Sequence, residues 1–370
     1  MTSVPFLDLK TQNRAMWAEL KDTVENIVAE AQFILGPHVQ AFEQRFAEFC
    51  GAKHCIGLNN GTTALHMALL AFDVDPGDEV ITTPHSWIST CWGIAYTGAK
   101  PVFVDIDRRS YNLDPNLVEA AITPRTKAVL PVHLYGQAAE MTALRDICER
   151  HNLRLIEDAA QAHGAQHAGH TVGSIGDAGC FSFYPGKNLG AFGEAGAVTT
   201  NSDPIAARIR SLRDHAQDGR HNHVEIGYNT RMEGLQGAVL DAKLKHLAEW
   251  TQRRRDHANY YLGQLKGIPG LTLPAVDDPL SHVWHLFVVL VNDRDQFRAD
   301  LEKRGVATGV HYPTPIPSQP AFKHLGYKRG QFPVTDDVMS RCVSLPMFPE
   351  LTEAQREYVV AIIGDVINKR

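Results

Sequence analysis

LRLIEDAAQAHGA (residues 153–165) and GDAGCFSFYPGKNLGAFGEAGAVTT (176–200) decide how this chain folds. Each carries a short apolar run that stops at a polar residue, Asp158 in the first and Ser182 in the second. The second then passes through a glycine-flanked turn holding Lys187 into a further run, GAVTT (196–200). Short continuous apolar runs of this kind fit strands buried on both faces. Working outward, KHCIGL (53–58), DEVITT (78–83), KPVFVDI (100–106) and KAVLPV (127–132) have the same character, which makes seven strands with LRLIED (153–158), GCFSFY (179–184) and GAVTT. Helical spacing fills the gaps from Gly61, after Pro84, from Asp114 to Ala121 and from Met141 to His151. The alternation predicts an α/β protein with a mostly parallel seven-stranded sheet, whose ligands sit outside the carboxyl ends of the strands, where Asp158 and Ser182 fall.

From Arg231 to Leu262 apolar residues recur at spacings of three and four, which predicts one long connecting helix. Beyond it Pro and Gly punctuate two short strands, HLFVVLV (285–291) and VATGVHYP (306–313), and helices follow near Arg294 to Arg304 and Thr352 to Ile367. The chain therefore divides, by expectation, into a large domain over 1–250 and a smaller α+β domain over 251–370. HYPTPIPSQP (311–320) is flanked by folded elements and reads as an irregular loop beside a site.

Composition narrows the class. With 370 residues, 44% hydrophobic and 21% charged, the chain has the make-up of an ordinary globular protein. Lys plus Arg of 36 against Asp plus Glu of 42 gives a net charge of -6 with the basic residues dispersed, which argues against nucleic acid as a partner. No run approaches the length of a membrane helix, and the N-terminal MTSVPFLDLKTQNR has no signal-peptide pattern. Cys50, Cys55, Cys91, Cys148, Cys180 and Cys342 form no C-x-x-C pair, which fits reduced thiols in the cytoplasm and neither a disulfide frame nor a metal site.

The acid and the lysine together have a chemical meaning. A pyridoxal phosphate electron sink needs a carboxylate to keep its ring nitrogen protonated and a lysine amine for its Schiff base. Asp158 and Lys187 supply these, against the plainer alternative of a helix-capping acid and a solvated loop lysine. A third element, LNNGTTALHMALLA (58–71), places a Gly-Thr turn between strand and helix, where free N–H groups and the helix dipole favour a phosphate.

VPFLDLK (4–10), NNGTTALHMAL (59–69), PGDEVITTPHSW (76–87), VHLYGQ (132–137), IEDAAQAHGA (156–165), FSFYPGKNLGA (181–191), GYNTRM (227–232) and HYPTPIPSQPAF (311–322) occur in order along the chain. In these motifs it resembles the DegT/StrS family of sugar aminotransferases over nearly its whole length. The resemblance implies a fold type I pyridoxal-phosphate-dependent transferase. It also implies that Lys187 holds the cofactor, Asp158 pairs with the ring nitrogen, Gly61, Thr62 and Ser182 bind the phosphate, Gln161 lies near the ring oxygen and Trp87 stacks on the ring. Asn229 would reach the phosphate of the neighbouring subunit's cofactor, so the site would be shared in a homodimer. L-Glutamate would donate the amino group, pyridoxamine phosphate would carry it, and Lys187 would move the protons. For that Lys187 must be neutral, so its ordinary pKa of about 10.4 has to be lowered by burial or a nearby cation.

Tyr184, His311 and Tyr312 resemble the sugar-contacting residues of the subgroup acting on dTDP-linked 3-keto-6-deoxyhexoses, with His163 a further candidate for the cofactor oxygen or the sugar. At NGTTAL, HSWIST and GEAGA the chain departs from that subgroup, which leaves a UDP-linked or 4-keto sugar as the alternative acceptor. A non-catalytic cofactor-binding regulator is a third reading. A sugar dehydrase of the same fold is disfavoured because it carries histidine at the position of Lys187, and a desulfurase would need a reactive loop cysteine.

Overall fold

A computed structural model describes residues 3–278 and 281–369. Helices α1 (Leu9–Ala29) and α2 (Pro37–Cys50) lead into strand β1 (His54–Leu58). Next come α3 (Gly61–Ala71), β2 (Glu79–Thr82), α4 (Ser89–Tyr96), β3 (Lys100–Phe103), α5 (Pro115–Val118), β4 (Thr126–Leu130), α6 (Met141–His151) and β5 (Arg154–Asp158). A small hairpin of β6 (Gln166–His167) and β7 (His170–Thr171) precedes β8 (Ala178–Ser182), β9 (Gly196–Thr200) and α7 (Asp203–Arg213). Helices α8 (Gly234–Leu244) and α9 (Leu247–Gln264) connect to β10 (Leu271–Thr272), β11 (Phe287–Val291), α10 (Arg294–Lys303), α11 (Pro333–Arg341), β12 (Cys342–Leu345) and α12 (Glu353–Asn368).

The seven expected strands form one sheet in the order β1-β9-β8-β5-β4-β2-β3. Only β9 runs against the others, paired antiparallel to both β1 and β8. Consecutive residues within a strand go to opposite faces: Val80, Ala128 and Ile156 pack with α3 and α7, whereas Ile81, Val129 and Leu155 pack with α2 and α6. With both faces covered, the strands read as unbroken apolar runs. Local signals set the helix ends. Pro37 starts α2 after Gly36, and Gly51 ends it in the left-handed conformation at φ 71°. Thr352 and Gln355 form a capping box on α12.

A second, three-stranded sheet, β10-β11-β12, is antiparallel. One of its faces carries Phe287, Val289 and Val291 into a core with α9, α10 and α12, and the other carries Val288 and Leu290 toward α11 and the large sheet's loops. Two sequence expectations are corrected here. The segment VATGVHYP is not a strand: Val306 bridges Val4 and Gly309 bridges Ser344, but β12 supplies the third strand. The long helix expected over 231–262 is two helices: α8 buries Val239 and Leu240 against α1 and α2, while α9 buries Ala258 and Tyr261 in the core beside the three-stranded sheet. Helix α9 runs unbroken across residue 250, and the bridge between Val4 and Val306 carries the N-terminal segment onto the later part of the chain. All six cysteines are free and buried, and among the described residues no helix is long and apolar enough to cross a membrane.

Candidate active site

Strands β1, β8 and β5 share one direction, so the residues that follow or end them meet at one edge of the sheet. There a cavity of about 980 Å³ opens, lined by Gly61, Thr62, Asp158, Ser182 and Lys187 together with Ser86 and Trp87 from the loop after β2 and Thr90 from the first turn of α4.

Asp158 is the buried end of β5. Its Oδ2 accepts a hydrogen bond from Thr90 Oγ1 at 2.7 Å and its Oδ1 one from the Ala160 N–H at 3.2 Å, while Thr90 Oγ1 also pairs with Ser86 Oγ at 2.7 Å. Burial raises the Asp158 pKa, opposed by these hydrogen bonds and by the nearby Lys187 charge. A cation brought against the carboxylate would reverse that shift. The preceding acid, Glu157, points to the other face and accepts from His133 Nε2 and the N–H groups of Gly173, Ile175 and Gly176. It serves as a structural acceptor.

Lys187 leaves the strand region in a closed turn, with its N–H donating to Tyr184 O at 2.8 Å. A Cβ on Gly190 would lie 2.3 Å from Pro185 O, so only glycine closes the loop, and the buried Lys243 ammonium donates to Gly190 O at 2.9 Å from α8. Burial lowers the Lys187 pKa to about 8, with Asp158 pulling it the other way. The amine thus has the lowered basicity its expected role requires.

The start of α3 makes the opposite end of the cavity. Asn60 caps it by accepting from the Thr63 N–H at 2.8 Å, and Gly61 lies so close to β8 that a Cβ would sit 2.6 Å from Ser182 Cβ. The first turn of α3, with Thr62 and Thr63, and the Ser182 end of β8 thus line the cavity side by side, where helix N–H groups favour an anion. A helix start, a buried carboxylate and a lysine amine of lowered basicity on one cavity match a phosphorylated aromatic aldehyde with a basic ring nitrogen.

Gln161 is held at both ends of its amide: the Tyr135 N–H donates to Oε1 at 2.8 Å and Nε2 donates to the Tyr312 hydroxyl at 3.1 Å. Trp87 is 55% exposed at the mouth, with its ring 5.7 Å from that of Tyr312. Tyr184, His311 and Tyr312 line the same cavity. His311 Nδ1 lies 2.8 Å from Ser344 Oγ, and burial lowers its pKa to about 4, so the ring is neutral.

Two expected residues lie elsewhere. His163 is fully buried behind β8, donating from Nε2 to Ser182 O at 2.9 Å among Phe46, Phe181 and Phe183, and it is not part of the cavity wall. Expected to contact the cofactor oxygen or the sugar, it instead bonds the Ser182 strand from behind the cavity wall, near enough to Lys187 for that charge to act on it. Asn229 is exposed outside the cavity, accepting from Arg231 Nη2 at 2.8 Å. Thr90, His285, Arg254 and the N-terminal Phe6 and Leu7 line the cavity without having been singled out from sequence. The motif VPFLDLK was the one available signal for the last two.

The model of the DegT/DnrJ/EryC1/StrS aminotransferase family matches residues 15–364. A pleiotropic regulatory protein of Geobacillus stearothermophilus is 45% identical over 365 residues, covering 98% of both chains. A dTDP-3-amino-3,4,6-trideoxy-alpha-D-glucose transaminase of Streptomyces venezuelae is 42% identical over 362 residues, covering 98% of this chain and 96% of that protein. The crystal structure of S. venezuelae DesV in complex with a ketimine intermediate superposes with a TM-score of 0.97 at 41% identity, covering 99% of each chain.

Proposed function

Since the chain belongs to the DegT/DnrJ/EryC1/StrS aminotransferase family and is a pyridoxal-phosphate-dependent aminotransferase of nucleotide sugars, we propose that it moves the amino group of L-glutamate onto a dTDP-linked 3-keto-6-deoxyhexose. The observation that carries this is the convergence of the Lys187 amine and the buried Asp158 carboxylate on one cavity with the Gly61 turn. The cofactor, when bound, supplies an electron sink for the carbanion at the reacting carbon. Lys187 Nζ takes the proton from the donor carbon that bears the amino group and later returns one to the sugar carbon that receives it. Asp158, oriented by Thr90, holds positive charge on the ring nitrogen. The N–H groups of α3 with Thr62 and Ser182 would hold the phosphate, Gln161 would bond the ring oxygen and Trp87 would stack on the ring, all of them lining the cavity. Tyr184, His311 and Tyr312 line the same cavity, and the neutral His311 ring suits an uncharged hexose.

Exposed Asn229, outside its own cavity, serves in this reading the phosphate of the second subunit of a homodimer. We divide the chain into a large domain over 1–250 and a small domain over 251–370, a reading supported by the three-stranded sheet lying wholly after residue 250, with α9 crossing the boundary and Val4 reaching into the small domain's core. Free, buried cysteines suit the reducing cytoplasm.

The purified protein is expected to show the visible absorbance of lysine-bound cofactor, which L-glutamate bleaches and the keto sugar restores. Lys187→Ala removes both the band and turnover. If no amino donor changes the spectrum, the protein is a cofactor-binding regulator, a reading the Geobacillus relative's name favours. If UDP-linked or 4-keto hexoses restore the band and dTDP-linked 3-keto hexoses do not, the acceptor assignment fails while the reaction class stands.

A further inference from the structure

Arg254, on α9, is 3% exposed and still lines the cavity. One arm of its guanidinium is occupied: Nη1 donates to Met347 O at 2.8 Å, Trp284 O at 3.1 Å and His285 O at 3.5 Å. Nε is buried with no partner, and Nη2 has no acceptor among the described residues. No described carboxylate is in ion-pair contact with the group. A buried cation facing only carbonyl oxygens is expensive, and burial lowers its pKa to about 10 although Glu350 acts the other way. An anion entering the cavity would remove that cost through a charge-assisted pair.

The position identifies the anion. Arg254 bonds the carbonyl of His285, and the His285 ring contacts Asn188, the residue after Lys187, with Nδ1 3.2 Å from Asn188 Oδ1. Arg254 thus lines the same cavity as the reacting lysine and is tied to the residue after it through His285 and Asn188. In a nucleotide-linked keto sugar the negative charge lies on the diphosphate and neutral carbons flank the ketone. In an amino acid the reacting carbon carries a carboxylate directly. We infer that Arg254 anchors the α-carboxylate of the amino donor, a binding role that rests on the reading of the chain as an amino-acid-consuming aminotransferase.

The two half-reactions separate this role from a structural one. In the holoenzyme, Arg254→Gln raises the apparent KM for L-glutamate in the bleaching half by about 10- to 100-fold and changes its limiting rate much less. Return of the visible band by the keto sugar, measured on protein charged with pyridoxamine phosphate, keeps its wild-type KM. Arg254→Lys, which keeps the charge and loses the fork, falls between the two. In wild-type protein L-isoglutamine, whose α-carboxylate is an amide, reacts far more weakly than L-glutamate, and the preference collapses in Arg254→Gln. Equal loss in both halves, an unchanged KM for L-glutamate, or wild-type use of L-isoglutamine as readily as L-glutamate overturns the assignment. If wild-type protein accepts no α-amino acid at all, the functional reading beneath it falls instead.

Discussion

Lys187 keeps a pKa of about 8 where a free lysine has 10.5, so at pH 7 its neutral fraction is roughly 300-fold larger than that of an exposed lysine. The sign follows from burial: the folded site disfavours the charged form, and the reactive neutral amine accumulates as pH rises through 8. Capture of pyridoxal phosphate by cofactor-free protein should therefore accelerate about tenfold between pH 7 and 9 and then level off. Stopped-flow absorbance reads this, and a rate still climbing past pH 10 would return the lysine to its ordinary basicity. Thr90 acts one step away, through its 2.7 Å bond to Asp158. Thr90→Val should cost about tenfold or more in turnover, the scale of a lost hydrogen bond to a charged group, while Thr90→Ser stays near wild type. Equal activity in both variants would remove Thr90 from the site. Asp158 and Lys187 were legible in sequence because the cofactor demands their charges. Thr90 was not, because HSWIST holds several hydroxyls and the partner lies far along the chain. His163 was legible as a candidate yet faces Phe181 and Phe183, a direction set by the turn that follows β5.

The start of α3 and the end of β8 are packed without room for a methyl group, since a Cβ on Gly61 would stand 2.6 Å from Ser182 Cβ. Gly61→Ala should push the two apart and weaken cofactor retention by tenfold or more, about 1.4 kcal/mol, in a protein that otherwise folds. Dialysis followed by the visible band measures this, and full retention would show that the turn tolerates the displacement. At this scale the seven strands of the main sheet were readable because both faces are buried and each run is continuously apolar. The small sheet was harder. VATGVHYP is as apolar as the true strand CVSL, and only the pairing of β12 with β11 distinguishes them. The break between α8 and α9 was likewise hidden, because both halves keep helical spacing and the start of α9 packs with α8 before its later turns enter the other core.

For the whole molecule, the placement of Asn229 outside its own cavity gives a test that no single chain passes. Lys187→Ala and Asn229→Asp proteins should each be inactive, the second because a carboxylate would face a phosphate. Unfolded together and refolded in equal amounts, they should recover about a quarter of wild-type activity, since half the dimers are hybrids and each hybrid keeps one unaltered site. No recovery, or a monomeric mass in solution, would end the shared-site reading. Nothing in the sequence alone carried that arrangement except the GYNTRM motif, because a surface turn looks the same whether it meets water or a second subunit. The aromatic mouth has an optical consequence. Two of the five tryptophans, Trp87 and Trp92, line the cavity. Their emission overlaps the absorbance of a bound pyridoxal chromophore, so resonance energy transfer should dim the protein's own fluorescence as the site fills, giving a dye-free gauge of occupancy.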